Sequence, residues 1–360
     1  MLNPWWIALC SGLVAGAMFA AYRYFAGDRM DQAFRDQGPS HHKQKGRVPT
    51  GTGIVFVILL VVGGAVAMTQ ANPNSPDAAL GAIVCWAAAA AGLLGFVDDR
   101  AKVTRGSAGL KARFKLPVMI VIGLVLLYLL RDYHVQFTTN LALTHIKMPW
   151  PIYAPAWLYY PVGLFVWLGA LNGANFTDGL DGLLACTTLV VLAGCFYTLL
   201  DPHRVEPLAW PAAIGFGMLL AFLIFNWKPA LIYMGDSGSL AIGALVVGLF
   251  LAKGWWLFTG LAVVVWVIEV ASVVLQVLSF RLRNKKKIFL MSPLHHHFEL
   301  AGWGERRTVV VFTLLQALGG LTGFAWLRYG VAYGVAGMTI LIMLVVCLIY
   351  VYRHKAPASL

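Results

Sequence analysis

Long apolar runs constrain this chain more than any other feature. They fall at about 5–25, 52–70, 79–97, 116–130, 157–175, 183–200, 208–226, 237–253, 255–279, 308–327 and 331–352. Most approach the roughly 20 residues that a helix needs to cross a bilayer. Eleven membrane-spanning helices are therefore expected, in an all-α polytopic transmembrane bundle. Only Lys253 and Gly254 separate the eighth run from the ninth. The first run is read as a permanent anchor, because its first basic residue, Arg23, follows it. Composition agrees: 60% of residues are hydrophobic and 12% charged, against about a quarter charged in soluble domains.

Orientation follows from charge. With the N-terminus outside, the loops at 26–51, 98–115, 227–236 and 280–307 and the C-terminal tail lie inside. All Lys and Arg except Arg131, Lys147, Arg204, Lys253 and Arg328 then fall in or beside these inside segments, as the positive-inside rule requires. The net charge of +12 thus faces an anionic leaflet of membrane lipids and argues for no nucleic acid. Trp5, Trp6, Trp150, Trp157, Tyr159, Tyr160, Trp255 and Trp256 mark the outer boundary. Cys10, Cys85, Cys186, Cys195 and Cys347 all sit in apolar runs and read as packing residues. No internal repeat is evident, and 1–360 reads as one domain.

The inside loops hold the unusual polar groups. Asp98 and Asp99 follow the third run at the membrane boundary, where ionised groups are costly and mark function. They are expected at the C-terminal end of a helix, where the dipole opposes them. Paired Asp can bind Mg²⁺ or move a proton. Asn172, Asn175, Thr177, Asp178 and Asp181 lie between two apolar runs, with Gly179 and Gly182 interrupting helical regularity. Such an interruption suits a polar cavity. Asn226, Lys228, Tyr233 and Asp236 precede a Ser/Gly-rich run. Asp236 there is either a helix cap or a carboxylate holding a cation beside a phosphate at a helix N-terminus.

Three histidines, His295, His296 and His297, follow the basic run Arg281–Lys287. Neighbouring residues on a helix point about 100° apart, so phosphate or sugar contact fits better than zinc. Lys43, Lys45 and Arg47 with Pro49, Thr50, Gly51 and Gly53 form a basic loop able to grip phosphate. Glu269 and Gln276 share one face of the ninth run and are expected to face a cavity rather than lipid. No P-loop, GxGxxG fingerprint or nucleophile–base triad is present in this sequence.

In order, the chain carries Pro-Thr, Phe-Val-Asp-Asp, Asn-x-x-Asn-x-Thr-Asp-Gly-Leu-Asp-Gly, Met-Gly-Asp-x-Gly-Ser-Leu and Pro-x-His-His-His-Phe-Glu-Leu-x-Gly-Trp. From about Lys43 to Val311 it resembles the phospho-N-acetylmuramoyl-pentapeptide transferases. These belong to the polyprenyl-phosphate N-acetylhexosamine-1-phosphate transferase superfamily of peptidoglycan biosynthesis. The resemblance implies a Mg²⁺-dependent enzyme of the bacterial inner (cytoplasmic) membrane, with its active site facing the cytoplasm. Its donor would be UDP-N-acetylmuramoyl-pentapeptide and its acceptor undecaprenyl phosphate. It implies that Asp236 ligates Mg²⁺ and that Asp98 and Asp99 are catalytic, together with the cluster His295, His296 and His297. Asn172, Asn175, Asp178 and Asp181 would line the nucleotide pocket, and Tyr233 would stack on uracil. Lys45, Thr50, Gln276 and His296 would contact uridine or diphosphate, and Arg113 occupies a basic position of the family. A homodimer is suggested by family alone.

The sequence departs from the family pattern in two places. The usual Thr-Pro-Thr-Met-Gly-Gly is here Val48-Pro49-Thr50-Gly51-Thr52-Gly53. The family has ten helices with both ends outside, whereas 331–352 adds an eleventh span and places the C-terminus inside. The alternatives are a UDP-N-acetylglucosamine:polyprenyl-phosphate phosphotransferase, which shares the Asp motifs, and a transporter, which would also bury polar groups in the membrane.

Overall fold

The computed structural model describes residues 3–26, 31–32, 48–69, 77–105, 109–137, 156–201, 204–205 and 208–353. Thirteen helices run through them. These are α1 (Pro4–Ala26), α2 (Gly53–Thr69), α3 (Asp77–Arg105), α4 (Ala112–Phe137), α5 (Ala156–Thr177), α6 (Leu183–Leu199) and α7 (Ala209–Asn226). After them come α8 (Gly235–Ala252), α9 (Trp256–Ala262), α10 (Val264–Leu282), α11 (Leu294–Leu300), α12 (Glu305–Tyr329) and α13 (Val331–Arg353). The described strands form two antiparallel two-stranded ladders, β1 (Asp31–Gln32) with β2 (Val48–Pro49) and β3 (Leu200–Asp201) with β4 (Arg204–Val205). Eight described helices are long and apolar enough to cross a membrane, and two shorter apolar helices, Gly53–Thr69 and Leu183–Cys195, accompany them. The protein is a multi-pass membrane protein.

Helix α8 is the axis of the bundle. Every residue from Asp236 to Ala252 is buried, and the helix packs on α3, α5 and α2. Lipid tails are as apolar as leucine, so helices associate here by close contact rather than by expulsion of water. Small residues make that contact possible. A Cβ on Gly95 of α3 would lie 2.1 Å from the Asp236 carbonyl oxygen, and one on Gly53 of α2 would lie 2.0 Å from the Gly238 nitrogen. The polar N-terminus of α8 is thereby pressed against α2 and α3.

Three expectations change on this fold. First, the 255–279 run is two helices, broken at Val263 (φ −118°, ψ 38°). The break survives in an apolar setting because Gln316 of α12 serves its backbone: Oε1 accepts from Val265 N at 3.2 Å, and Nε2 donates to the Ala262 carbonyl. Second, α3 continues to Arg105, so Asp98 and Asp99 lie inside the helix rather than at its end. The expected opposition of the helix dipole is correspondingly weaker there, since that effect fades beyond the last turn. Lys102, four residues after Asp98, holds the continuation with a 2.9 Å ion pair. Third, Glu269 and Gln276, expected to face a cavity, have their side chains hydrogen-bonded to the segment 288–297.

The run at 331–352 is helical, as α13. Gly330 (φ +104°) turns the chain back, a conformation that glycine adopts without steric cost. Gly334 then meets Trp326, and Gly337 meets Thr322, so α12 and α13 form an antiparallel hairpin. The five cysteines are free thiols.

Candidate active site

The site occupies one end of the bundle, where α3, α5 and α10 finish and α2, α4, α8 and α12 begin. Its centre is a cluster of charge. Asp98, Asp99 and Asp236 are 3%, 1% and 4% exposed, which would be prohibitive without partners. Lys102 Nζ lies 2.9 Å from Asp98 Oδ2, 2.9 Å from Asp236 Oδ1 and 3.6 Å from Asp99 Oδ1. Lys115 Nζ, from the first turn of α4, lies 3.4 Å from Asp98 Oδ2 and donates to Asp236 Oδ2. Two ammonium groups thus bridge Asp98 and Asp236. Three carboxylates against two ammonium groups leave one formal negative charge.

The adjacent acids of α3 divide their work. Asp99 accepts from Asp236 N and Ser237 N, each at 2.9 Å, one on each carboxylate oxygen. It therefore caps α8 from a neighbouring helix, an anion at a helix N-terminus. Asp236 lies within the first turn of α8, after Met234, which makes no side-chain cap. It is not the cap itself. The phosphate-friendly end expected of α8 is thus already engaged by Asp99. Gly235 permits this on two counts: its φ is +70°, and a Cβ there would sit 2.4 Å from Asp99 Oδ2. Asp98 differs. Its Oδ1 accepts from Leu110 N at 2.5 Å, while its Oδ2 faces Lys102 and Lys115.

The Pro-Thr loop lies along the entry to α8. Tyr233 N donates to the Pro49 carbonyl at 2.8 Å, and Gly53 N donates to the Met234 carbonyl at 3.1 Å. Tyr22 of α1 donates to the Thr50 carbonyl at 2.8 Å. Thr50 is 1% exposed, and its Oγ1 has no hydrogen-bond partner among the described residues. Lys45 lies outside those residues.

On the other flank, Asn175 Nδ2 donates to Ser239 Oγ at 2.9 Å, tying the end of α5 to α8. Asn172 turns back onto the Leu168 carbonyl of its own helix at 2.7 Å. Asp181 Oδ2 accepts from Ala230 N at 3.2 Å and also meets the Tyr233 side chain. Asn226 joins Gly182 N to the Ile232 carbonyl, both at 2.9 Å. Burial, followed by the carboxylates of Asp181, Glu305 and Asp178, raises the Tyr233 phenol above the ordinary tyrosine range. It is therefore protonated at neutral pH and able to donate. Asp178 is half-buried on the same turn. Arg113 is exposed, with its guanidinium 4.9 Å from the Phe114 ring centroid.

The histidines lie on α11, and their surroundings differ. His295 Nδ1 lies 3.1 Å from Glu269 Oε1, and its backbone N–H also faces that carboxylate. His297 Nδ1 accepts from Leu290 N at 3.2 Å, which places its proton on Nε2. His296, half-buried, pairs with Glu299 Oε2 at 2.8 Å. Gln276 commits its amide to backbone: Oε1 accepts from Ile288 N and Phe289 N at 3.0 Å, and Nε2 donates to the Phe289 carbonyl at 2.9 Å. A Cβ on Gly179 would lie 2.3 Å from His295 Nε2, so the histidine segment abuts the Asp178–Asp181 turn.

Among the described residues, no three acidic, His or Cys side chains converge with metal-ligand spacing. What converges is a pair of carboxylates, Asp98 and Asp236, sharing two cationic groups. That donor set suits a hard cation taking one or two carboxylates and completing its shell with substrate oxygens, as Mg²⁺ does. No sequence motif singles out Lys115, and Lys102 shows only by its spacing from Asp98. The Asp98–Lys102 spacing of four residues was the available signal.

Comparison with known proteins places these residues in context. Residues 81–254 match the model of glycosyl transferase family 4. Among curated proteins, the chain is similar to the phospho-N-acetylmuramoyl-pentapeptide-transferase of Bacillus subtilis, 34% identical over 303 residues, covering 83% of this chain and 90% of that protein. The protein of that name from Desulforamulus reducens is 37% identical over 304 residues, covering 82% and 86%. The one from Carboxydothermus hydrogenoformans is 36% identical over 298 residues, covering 81% and 88%.

Proposed function

The chain belongs to the phospho-N-acetylmuramoyl-pentapeptide transferase family, and from that membership we propose that it transfers phospho-N-acetylmuramoyl-pentapeptide from UDP-N-acetylmuramoyl-pentapeptide to undecaprenyl phosphate. An oxygen of the lipid phosphate attacks the sugar-linked β-phosphorus, the bond to the UMP oxygen breaks, and a lipid diphospho-sugar stays in the membrane. The observation that carries this reading is the meeting of Asp98, Asp99 and Asp236 around Lys102 and Lys115. Phosphoryl transfer needs positioning and charge neutralisation more than covalent chemistry, and this cluster can supply both.

Asp98 is assigned to the acceptor. Its Oδ2 can take a residual proton from the lipid phosphate, while Oδ1 is anchored on Leu110 N. Asp99 has both oxygens on backbone N–H groups and is assigned to holding α8 in place. Lys102 and Lys115 can turn their ammonium groups from carboxylate to phosphate oxygens as substrate enters. Asp236 is the residue we assign to hold Mg²⁺, with Asp98 beside it. When bound, Mg²⁺ would neutralise charge on the diphosphate and ease departure of UMP. Thr50 Oγ1 is a hydrogen-bonding group for the donor, and Tyr233 presents a flat ring to uracil.

Donor choice is the direct test. Each UDP-sugar is supplied with undecaprenyl phosphate and Mg²⁺ in detergent, and lipid product is followed. UDP-N-acetylmuramoyl-pentapeptide should be used far faster than UDP-N-acetylglucosamine. Equal or faster use of the smaller donor would overturn the donor assignment and leave the wider class standing.

We also propose that the site faces the cytoplasm of a bacterial inner membrane. Lys102, Lys115, Arg281, Arg283, Lys285, Lys286, Lys287, Arg306 and Arg307 all flank the site end of the helices, which supports that orientation. The α12–α13 hairpin then returns the chain to the inside. A cysteine introduced after Ala356 in a cysteine-free background should resist an impermeant thiol reagent in intact cells. Ready labelling from outside would contradict it.

A further inference from the structure

Glu269 is the sole acidic residue in α10. It is 0% exposed, deep in a helix apolar enough to span the membrane. A carboxylate at that depth is costly unless it is paired and hydrogen-bonded. Its partners all belong to one residue, 26 positions away. The backbone N–H of His295 lies 3.3 and 3.4 Å from the two carboxylate oxygens, and the ring Nδ1 lies 3.1 Å from Oε1.

This geometry selects a tautomer. An ionised carboxylate only accepts hydrogen bonds, so the ring nitrogen facing it must carry the proton. Nε2 of the neutral ring is then an acceptor. That atom is buried and has no hydrogen-bond partner among the described residues. It points at Gly179, where a Cβ would come within 2.3 Å, on the turn that carries Asp178 and Asp181. A buried ring acceptor without a partner is unfavourable, and a ligand that donates a hydrogen bond there would relieve that cost.

We propose that Glu269 is a positioning residue: it locks His295 in the Nδ1–H tautomer and so aims the Nε2 lone pair at the Asp178–Asp181 turn, to accept a hydrogen bond from a hydroxyl or amide N–H of the nucleotide-sugar donor. The proposal rests on the transferase reading given above. His297 supplies the contrast within the same helix. Its Nδ1 faces a backbone donor, so its proton sits on the opposite nitrogen.

The test has a spectroscopic and a kinetic arm. In protein labelled with [¹⁵N]histidine, the His295 ring, identified by the signals lost in His295→Ala, should carry its proton on Nδ1. Glu269→Gln should lower kcat/KM for UDP-N-acetylmuramoyl-pentapeptide about 10- to 100-fold, by analogy with the loss when the orienting partner of a metal-ligating histidine is removed. In the His295→Ala background the same change should add less than about twofold, because the carboxylate acts through the ring. Equal fractional losses in both backgrounds, or a wild-type ring protonated on Nε2, would overturn the proposal. Should Glu269→Gln fail to fold, the wild-type ring spectrum decides alone. A wild type that does not turn over the donor sinks the transferase reading, and the ring spectrum still reports on the tautomer.

Discussion

On the α3–α8 side of the site, side-chain charge answers side-chain charge: Asp98 and Asp236 share the ammonium groups of Lys102 and Lys115. On the α10–α11 side, side chains mostly answer backbone. Gln276 takes the N–H groups of Ile288 and Phe289, Glu269 takes that of His295, and His297 takes that of Leu290. Mobile ammonium groups can exchange a carboxylate oxygen for a phosphate oxygen or give way to a divalent cation. Backbone hydrogen bonds cannot be exchanged without unfolding the segment that makes them. The first side is therefore suited to chemistry in which charge moves, and the second to holding a fixed surface against a substrate. Asp99 belongs to the second kind although it adjoins Asp98 in sequence, since both its oxygens hold the start of α8.

The pair Asp98 and Asp99 gives the largest expected effect and the sharpest test of that division. Asp98→Asn should lower kcat on the order of 10²–10⁴-fold, the range for loss of a general base, with little change in thermal stability. Asp99→Asn should lower stability by about 1–3 kcal/mol, because one backbone N–H of α8 loses its acceptor. Its activity should fall with that loss of order. Thermal unfolding in detergent beside UMP release separates the two, and identical profiles would erase the distinction.

A smaller effect is expected where the two sides meet. Gly179→Ala places a methyl group against His295 Nε2 and should displace the ring. A shift of about 1 Å can cost roughly 10²-fold, and here the loss should appear mainly as a raised KM for donor, with a modest loss of stability as the ring moves against Glu269. Wild-type KM in Gly179→Ala would show that the histidine side does not hold substrate.

The two sides were unequally legible in the sequence. Asp98, Asp99 and Asp236 stand out because acids beside apolar runs are rare and costly, and the fold does bring them together. The cap that Asp99 places on α8 was hidden, since it joins residues 137 and 138 positions apart. Lys115 was obscured by the basic residues that every inside loop carries. On the histidine side, the periodicity put Glu269 and Gln276 on one face, but only tertiary structure reveals that the segment 288–297 supplies their hydrogen-bond partners. The break at Val263 had no signal either. Neither Gly nor Pro marks the Ala-Val-Val-Val run of 262–265, and the amide that satisfies it comes from Gln316 on another helix.

Asp236, opposite Lys102 and Lys115, is the residue we propose to hold the divalent cation on which phosphoryl transfer depends. The most direct test of that role is UMP release from UDP-N-acetylmuramoyl-pentapeptide as a function of Mg²⁺, for wild type and Asp236→Asn in the same detergent. The wild type should lose turnover on chelation and regain it as Mg²⁺ is restored. Asp236→Asn, folded and still able to bind donor, should stay at background across the whole titration. Turnover near the wild-type level in Asp236→Asn, or wild-type turnover that persists through chelation, would contradict the account.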